Sequence, residues 1–253
     1  YVPNNATIVV TGDFDPQQAE GWIRKYLGII QRGARPIARD IPREPPQSAE
    51  RVVKLHLDVA LPAFVEGFHM PADGTPDAYP LRLVTKILSD GESSLIYRRL
   101  VYEKQIATDA ESTGNFTEDP NLFFVFAVMN AGHTPAEGER EVESILDDLR
   151  NKPVSKDELE KAKNQILRDF ILGRETVRRR AEELGYDTVV LKDSELVNTE
   201  PARFLAVTPE DIMWAARKYL IPENKTLVEV YPKVQKSEVS IQKAEDKSGE
   251  QEE

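Results

Sequence analysis

The sequence predicts an α+β fold, with a mostly antiparallel sheet covered by helices. Three observations carry that reading. Strand-like and helix-like segments fall in separate blocks more than in strict βαβ alternation. Two S/T-x-x-E sequences, Thr134-Pro135-Ala136-Glu137 and Ser155-Lys156-Asp157-Glu158, each stand before an apolar stripe of helical period. Hydrophobic residues make up 40% and charged residues 30% of the 253, enough for both a sizeable core and a solvated surface.

In chain order, Thr7–Thr11 reads as a buried strand of β-branched and aliphatic residues. Asp15-Pro16-Gln17-Gln18 opens a helix with Asp as N-cap, Pro at the first position and Gln to reach back. Its apolar face is Ala19, Trp22, Ile23, Tyr26 and Leu27, and Gly28 closes it. Pro36, Pro42, Pro45 and Pro46 keep residues 33–48 extended as a linker. Val52–Val59 alternates like a half-buried strand, with Ala63–Met70 expected as its neighbour. A helix follows from about Asp77, with Leu81, Val84, Ile87 and Leu88 inward. The loop Asp90-Gly91-Glu92-Ser93 leads to a second helix through Tyr97 and Leu100.

Ile106–Thr113 and Leu122–Met129 read as a strand pair. The second is apolar on both faces and is expected to be central. The two capping boxes then open helices with Val142, Ile145, Leu146, Leu149 and with Leu159, Ala162, Ile166, Leu167, Phe170 inward. A further helix is expected from about Glu175 to Leu191. Thr208-Pro209 starts the last one, with Ile212, Ala215, Ala216 and Tyr219 inward, and the strand Thr226–Tyr231 ends the fold. Beyond Lys233 the chain is charged, polar and short of large apolar groups, so residues 234–253 are expected to be a disordered tail.

One short repeat bears on domain organisation. Pro3-Asn4-Asn5-Ala6-Thr7-Ile8-Val9-Val10 resembles Pro222-Glu223-Asn224-Lys225-Thr226-Leu227-Val228-Glu229, with a Tyr before each, Tyr1 and Tyr219. The unit is a turn at Pro/Asn followed by a strand. It suggests tandem copies of one domain, the chain starting at the last strand of the first copy. Tyr1 in place of Met fits a piece of something longer.

The composition excludes several function classes. A net charge of −11 argues against neutralising nucleic-acid phosphates or docking on anionic lipid. No run approaches the ~18 apolar residues of a membrane span. Without cysteine there are no disulfides, thiolate nucleophiles or Cys-based metal sites. A hydrolytic zinc site would then depend on His56, His69 and His133, none of which has another His at i+4. Glu66 and His69 lie three apart on a strand, where odd separations face opposite ways. No metal site and no catalytic residue are therefore assigned to this chain.

Gly91-Glu92-Ser93-Ser94 is the nearest stretch to a G-x-S-x-G nucleophile elbow and lacks the second Gly, so it reads as an N-cap with a turn glycine. A hydrolase using Ser93 or Ser94 is the least favoured reading. The exposed N–H groups there could hold a substrate carboxylate or carbonyl weakly.

Four segments jointly point to a family. They are Tyr1–Asp15 (YVPNNATIVVTGDFD), Leu88–Ala107 (LSDGESSLIYRRLVYEKQIA), Ser155–Lys163 (SKDELEKAK) and Thr208–Pro232 (TPEDIMWAARKYLIPENKTLVEVYP). In this order they resemble the pitrilysin/insulinase-type zinc peptidases, whose motif is H-x-x-E-H. The resemblance implies two similar α+β domains in tandem, the first carrying the zinc motif and the second having lost it. It divides the chain into the C-terminal remnant of the preceding domain (1–37), a Pro-rich linker (38–50), a complete non-catalytic domain (51–233) and the charged tail (234–253).

H-x-x-E-H is absent from the chain. The resemblance thus implies that zinc and hydrolysis belong to a catalytic H-x-x-E-H partner, fused upstream or separate, with an extended peptide as substrate. Many second domains of this type carry L-R-x-x-x-x-x-x-Y, whose Arg and Tyr reach across to the catalytic domain. Here that register holds Val101 and Thr108, with Arg99 and Tyr102 nearby but out of register. Ser93, Ser94, Arg99 and Tyr102 are the candidate substrate-binding residues. The alternative is a structural or assembly protein of peptidase-like fold. Bacterial relatives of this type are often periplasmic, and a cysteine-free chain is compatible with that.

Overall fold

The local rules are obeyed most closely where a helix begins. At Thr134 the backbone N–H donates to Glu137 Oε2 at 2.8 Å, and at Ser155 the hydroxyl accepts from the Glu158 N–H at 3.2 Å while Glu158 reaches back. Thr208 and Asp211 form a third such box. Asp15 accepts from the Gln18 N–H at 2.8 Å. These boxes satisfy orphan donors in the first turn and fix where each helix starts. The structure, a computed structural model, describes residues 2–35, 37, 38, 40 and 42–233. The expected charged tail (234–253) lies outside the described residues.

The helices are α1 (Pro16–Leu27), α2 (Ala78–Ser89), α3 (Leu95–Tyr97, running on as a π-helical turn over Arg98–Glu103), α4 (Pro135–Asn151), α5 (Lys156–Leu172), α6 (Val177–Val189), α7 (Leu196–Ala206) and α8 (Pro209–Tyr219). The strands are β1 (Arg51–Leu57), β2 (Ala63–Met70), β3 (Ala107–Gly114), β4 (Asn121–Met129) and β5 (Lys225–Pro232). They form one five-stranded sheet in the order β1-β5-β2-β4-β3. Its pairings are antiparallel except β1 with β5, which is parallel. The α+β reading holds.

Four expectations change. β5 inserts between β1 and β2, so these two strands are not neighbours. β1 is exposed along its whole length rather than half-buried, because it is an edge strand with no helix over it. Residues 7–11 form no strand among the described residues. Ile8 and Val10 are 53% and 46% exposed, because no other strand lies beside them. The helix α7 was not expected, since Pro201 sits inside it and interrupts the propensity signal.

The core lies on one face of the sheet. Phe64, Phe68, Phe123, Val125, Ala127 and Met129 point into it from β2 and β4, meeting Leu81, Val84 and Leu88 of α2, Leu146 of α4 and Ile212 of α8. The approach of α4 is close. A Cβ on Gly138 would stand 2.6 Å from Phe64 and 2.8 Å from Met129 Sδ. Ahead of α1 the chain touches this body through Thr11, whose Oγ1 donates to the Val177 carbonyl at 2.6 Å, and through Val9, which packs on Gly185.

The two copies of the short repeat have matching backbones. Pro3–Asn5 and Pro222–Asn224 are both single 3-10 turns, each entered and left through extended residues. The Ala6 N–H donates to the Pro3 carbonyl as that of Lys225 does to Pro222.

Candidate functional site

Three sets of residues could carry function. The first is the loop before α3. Gly91 has φ +87, a left-handed turn that Gly adopts without strain. Ser93 Oγ accepts from Lys161 Nζ on α5 at 2.5 Å. Ser94 is 2% exposed and its hydroxyl has no hydrogen-bond partner among the described residues. Arg99 turns the other way, to Glu141 of α4 at 3.3 Å and Glu103 at 3.7 Å. Tyr102 stands 75% exposed. The four candidate residues thus share one segment but face different neighbours. Val101 packs against the core, and Thr108 sits at a bulge of β3 with its hydroxyl on the Val128 carbonyl at 3.2 Å. Val101 is half-buried and Thr108, though exposed, is short, so neither has the reach of an Arg or Tyr.

The second set is the histidines. His56 stacks on Tyr231 with ring centroids 5.6 Å apart, His69 faces Glu44 at 3.6 Å, and His133 faces Glu137 at 3.4 Å. Glu66 is buried while His69 is partly exposed, on opposite faces of β2. No group of three His, Asp or Glu able to hold a metal occurs among the described residues. These residues do not fit a zinc ion.

The third set is the sheet itself. Beneath α4, Glu66 of β2 is fully buried and neither of its oxygens accepts a hydrogen bond among the described residues. Lys225 of β5 lies 4.0 Å away and bonds Glu139 at 2.7 Å and Glu50 at 2.9 Å. Burial pushes the Glu66 carboxyl up to about 8. Lys225 opposes that rise, and Glu139, Glu143 and Glu50 add to it. Burial alone would lower the Lys225 ammonium, but Glu66, Glu139 and Glu50 outweigh it and hold it raised. This cluster is a closed structural knot.

The opposite face of the sheet is open. Strand register places Val53 and Leu55 of β1, Val228 and Val230 of β5, Val65 of β2, and Phe124, Phe126 and Val128 of β4 on it. Leu122 and Phe124 lie over Gly67, both within 3.9 Å of where a Cβ would stand. The β4 residues of this face are only partly buried, in alternation with the fully buried Phe123, Val125 and Ala127. β4 does have a strand on each side, but it is buried on one face alone. Sequence reasoning missed this face because an apolar strand reads the same whether its second face meets a helix or a ligand.

Comparison with known proteins decides the family. The model of the peptidase M16 inactive domain matches residues 1–166. The chain belongs to this family. An M16 inactive domain over this chain agrees with the missing H-x-x-E-H and places the active site outside it. The zinc protease PqqE of Helicobacter pylori is 26% identical over 234 residues, 92% of this chain and 52% of that protein. A solved protease from Helicobacter pylori shares the fold with a TM-score of 0.82 at 25% identity, over 88% of this chain and 54% of that one. The inactive peptidase domain of a putative zinc protease from Bordetella parapertussis gives a TM-score of 0.61 at 25% identity, covering 71% of this chain and 98% of that one. The chain spans about half the length of the first two relatives. No helix among the described residues is long and apolar enough to cross a membrane.

Proposed function

We propose that this M16 inactive domain encloses peptide substrates for a zinc peptidase whose catalytic H-x-x-E-H half lies upstream or on a partner chain. The observation that carries this is the open sheet face, apolar across four strands and bordered by the exposed edge strand β1. Such an edge can take an extended peptide by main-chain pairing with little sequence choice. Residues 1–37 are read as the end of the preceding domain. In support, the turn at Pro3–Asn5 repeats that at Pro222–Asn224, and Ile8 and Val10 lack the neighbours their counterparts have in β5. Of Ser93, Ser94, Arg99 and Tyr102, exposed Tyr102 is best placed to meet a ligand and buried Ser94 least. The periplasm is the compartment this reading favours.

The test is metal content and peptidase activity of the chain alone and then mixed with the catalytic half. Activity and zinc appearing only with that half support the reading. Peptide cleavage by the catalytic half that is unchanged when this domain is omitted would sink it. Zinc-free, inactive mixtures would favour an assembly protein, for which Val101 and Thr108 in the places of the Arg and Tyr speak.

A further inference from the structure

The open face of the sheet has a chemical direction. One row across the strands runs Val53, Val228, Val65, Phe126 and ends at Glu111. The next runs Leu55, Val230, Ala63, Val128 and ends at Asp109. Apolar side chains fill four strands and carboxylates edge the fifth. Both carboxylates are exposed, and neither has a cationic partner among the described residues. Most acidic side chains of the helices are instead paired, as Glu141 is with Arg99 and Lys104. Two residues apart on a strand, they stand about 7 Å from each other, the spacing of same-side side chains in an extended peptide. One end of the face is already occupied. Gln47 of the linker accepts from the Thr226 hydroxyl at 3.2 Å, and Glu44 meets His69. The free part is the band between Val65, Phe126 and Val128 and the acidic edge.

We propose that this band binds an extended peptide that carries bulky apolar and basic side chains together. The apolar side chains sit on Val65, Phe126 and Val128, and lysine or arginine side chains reach Asp109 and Glu111. Apolar area supplies the affinity, while the exposed carboxylates select and steer. Charge complementarity fixes the occupant: a surface with unpaired carboxylates beside an apolar strip rejects acidic peptides and favours basic ones. The proposal rests on the substrate-enclosing reading and names its substrate class.

The test is fluorescence anisotropy of a short labelled Leu/Arg peptide and of its twin with Glu in place of Arg. Both are titrated into the wild-type chain, D109K/E111K and Phe126→Ser. The wild type is expected to bind the Arg peptide about tenfold tighter than the Glu twin, and D109K/E111K to reverse that order. Phe126→Ser is expected to weaken both peptides alike. Reversal of preference cannot come from unfolding, so it carries the result even if one variant is unstable. An unchanged preference in D109K/E111K overturns the proposal, even where mixing with the catalytic half still yields cleavage. A preference that reverses in the isolated chain but disappears once the catalytic half is joined also overturns it, by showing that half to cover the face. Reversed preference without cleavage in the mixture would uphold this face and sink only the peptidase reading.

Discussion

One strand shows both sides of this molecule. On β4, Phe123, Val125 and Ala127 are fully buried beneath helices, while Phe124, Phe126 and Val128 alternate with them on an open face. Composition is nearly the same on the two sides. What differs is the partner: helices α2, α4 and α8 on one, solvent on the other. A residue's apolarity therefore says that a face wants covering, and the rest of the chain decides whether it is covered at once or left for a ligand.

The sharpest break between the faces is expected from two adjacent types of phenylalanine. Phe123→Ala should cost about 3–5 kcal/mol in urea denaturation, whereas Phe126→Ala should cost about 1 kcal/mol or less, because it leaves no enclosed cavity. Equal losses would mean that the open face is packed in solution.

Glu66→Gln probes the covered face through charge. The folded carboxyl is raised to about 8 from an ordinary 4.5, so the folded state holds its proton more tightly than the unfolded chain does. Wild-type stability should fall as pH rises from 4.5 to about 8 and then level off. The variant should lack that fall and be more stable than wild type by a few kcal/mol above pH 8, order of magnitude only. Denaturation curves across this window check both the sign and the plateau. A wild-type stability that does not decline would mean that Glu66 is ionised and well paired.

Gly138→Ala separates packing from propensity. Alanine is the better helix former by about 1 kcal/mol, yet its methyl would collide with Phe64 and Met129. A net loss of about 1–3 kcal/mol is expected by thermal or chemical melting, and a gain would show that α4 can lift off the sheet. The smallest effect is Ser155→Ala, about 1 kcal/mol, since it removes one cap from α5 and touches neither face.

Much of the fold was legible because local chemistry determines it. The boxes at Thr134 and Ser155, the cap at Asp15 and the inward stripe of α2 need only residues within a turn or two. What escaped is what depends on distant neighbours. The position of β1 beside β5 rests on pairing Arg51 with Thr226, which no local pattern announces. The exposure of Ile8 and Val10 depends on strands that are not beside them. The candidate site was legible in part. The sequence singled out the segment holding Ser93, Ser94, Arg99 and Tyr102, but not that Ser93 turns to α5 and Arg99 to α4. It also gave no reason to set Asp109 and Glu111 apart from other acidic residues, because their isolation from cations is a property of the sheet edge.

The insertion of β5 between β1 and β2 also sets a timetable for synthesis. β1 leaves the ribosome about 170 residues before the strand it must pair with, and β2 must likewise keep one side vacant. During that interval β2 has only β4 to pair with and β1 has no partner strand, so the sheet depends on a long-range closure of the kind that folds slowly. The last strand among the described residues is the one that stitches the two parts together, so a translation pause or an early stop before Lys225 would leave the facing edges of β1 and β2 open to the wrong partner.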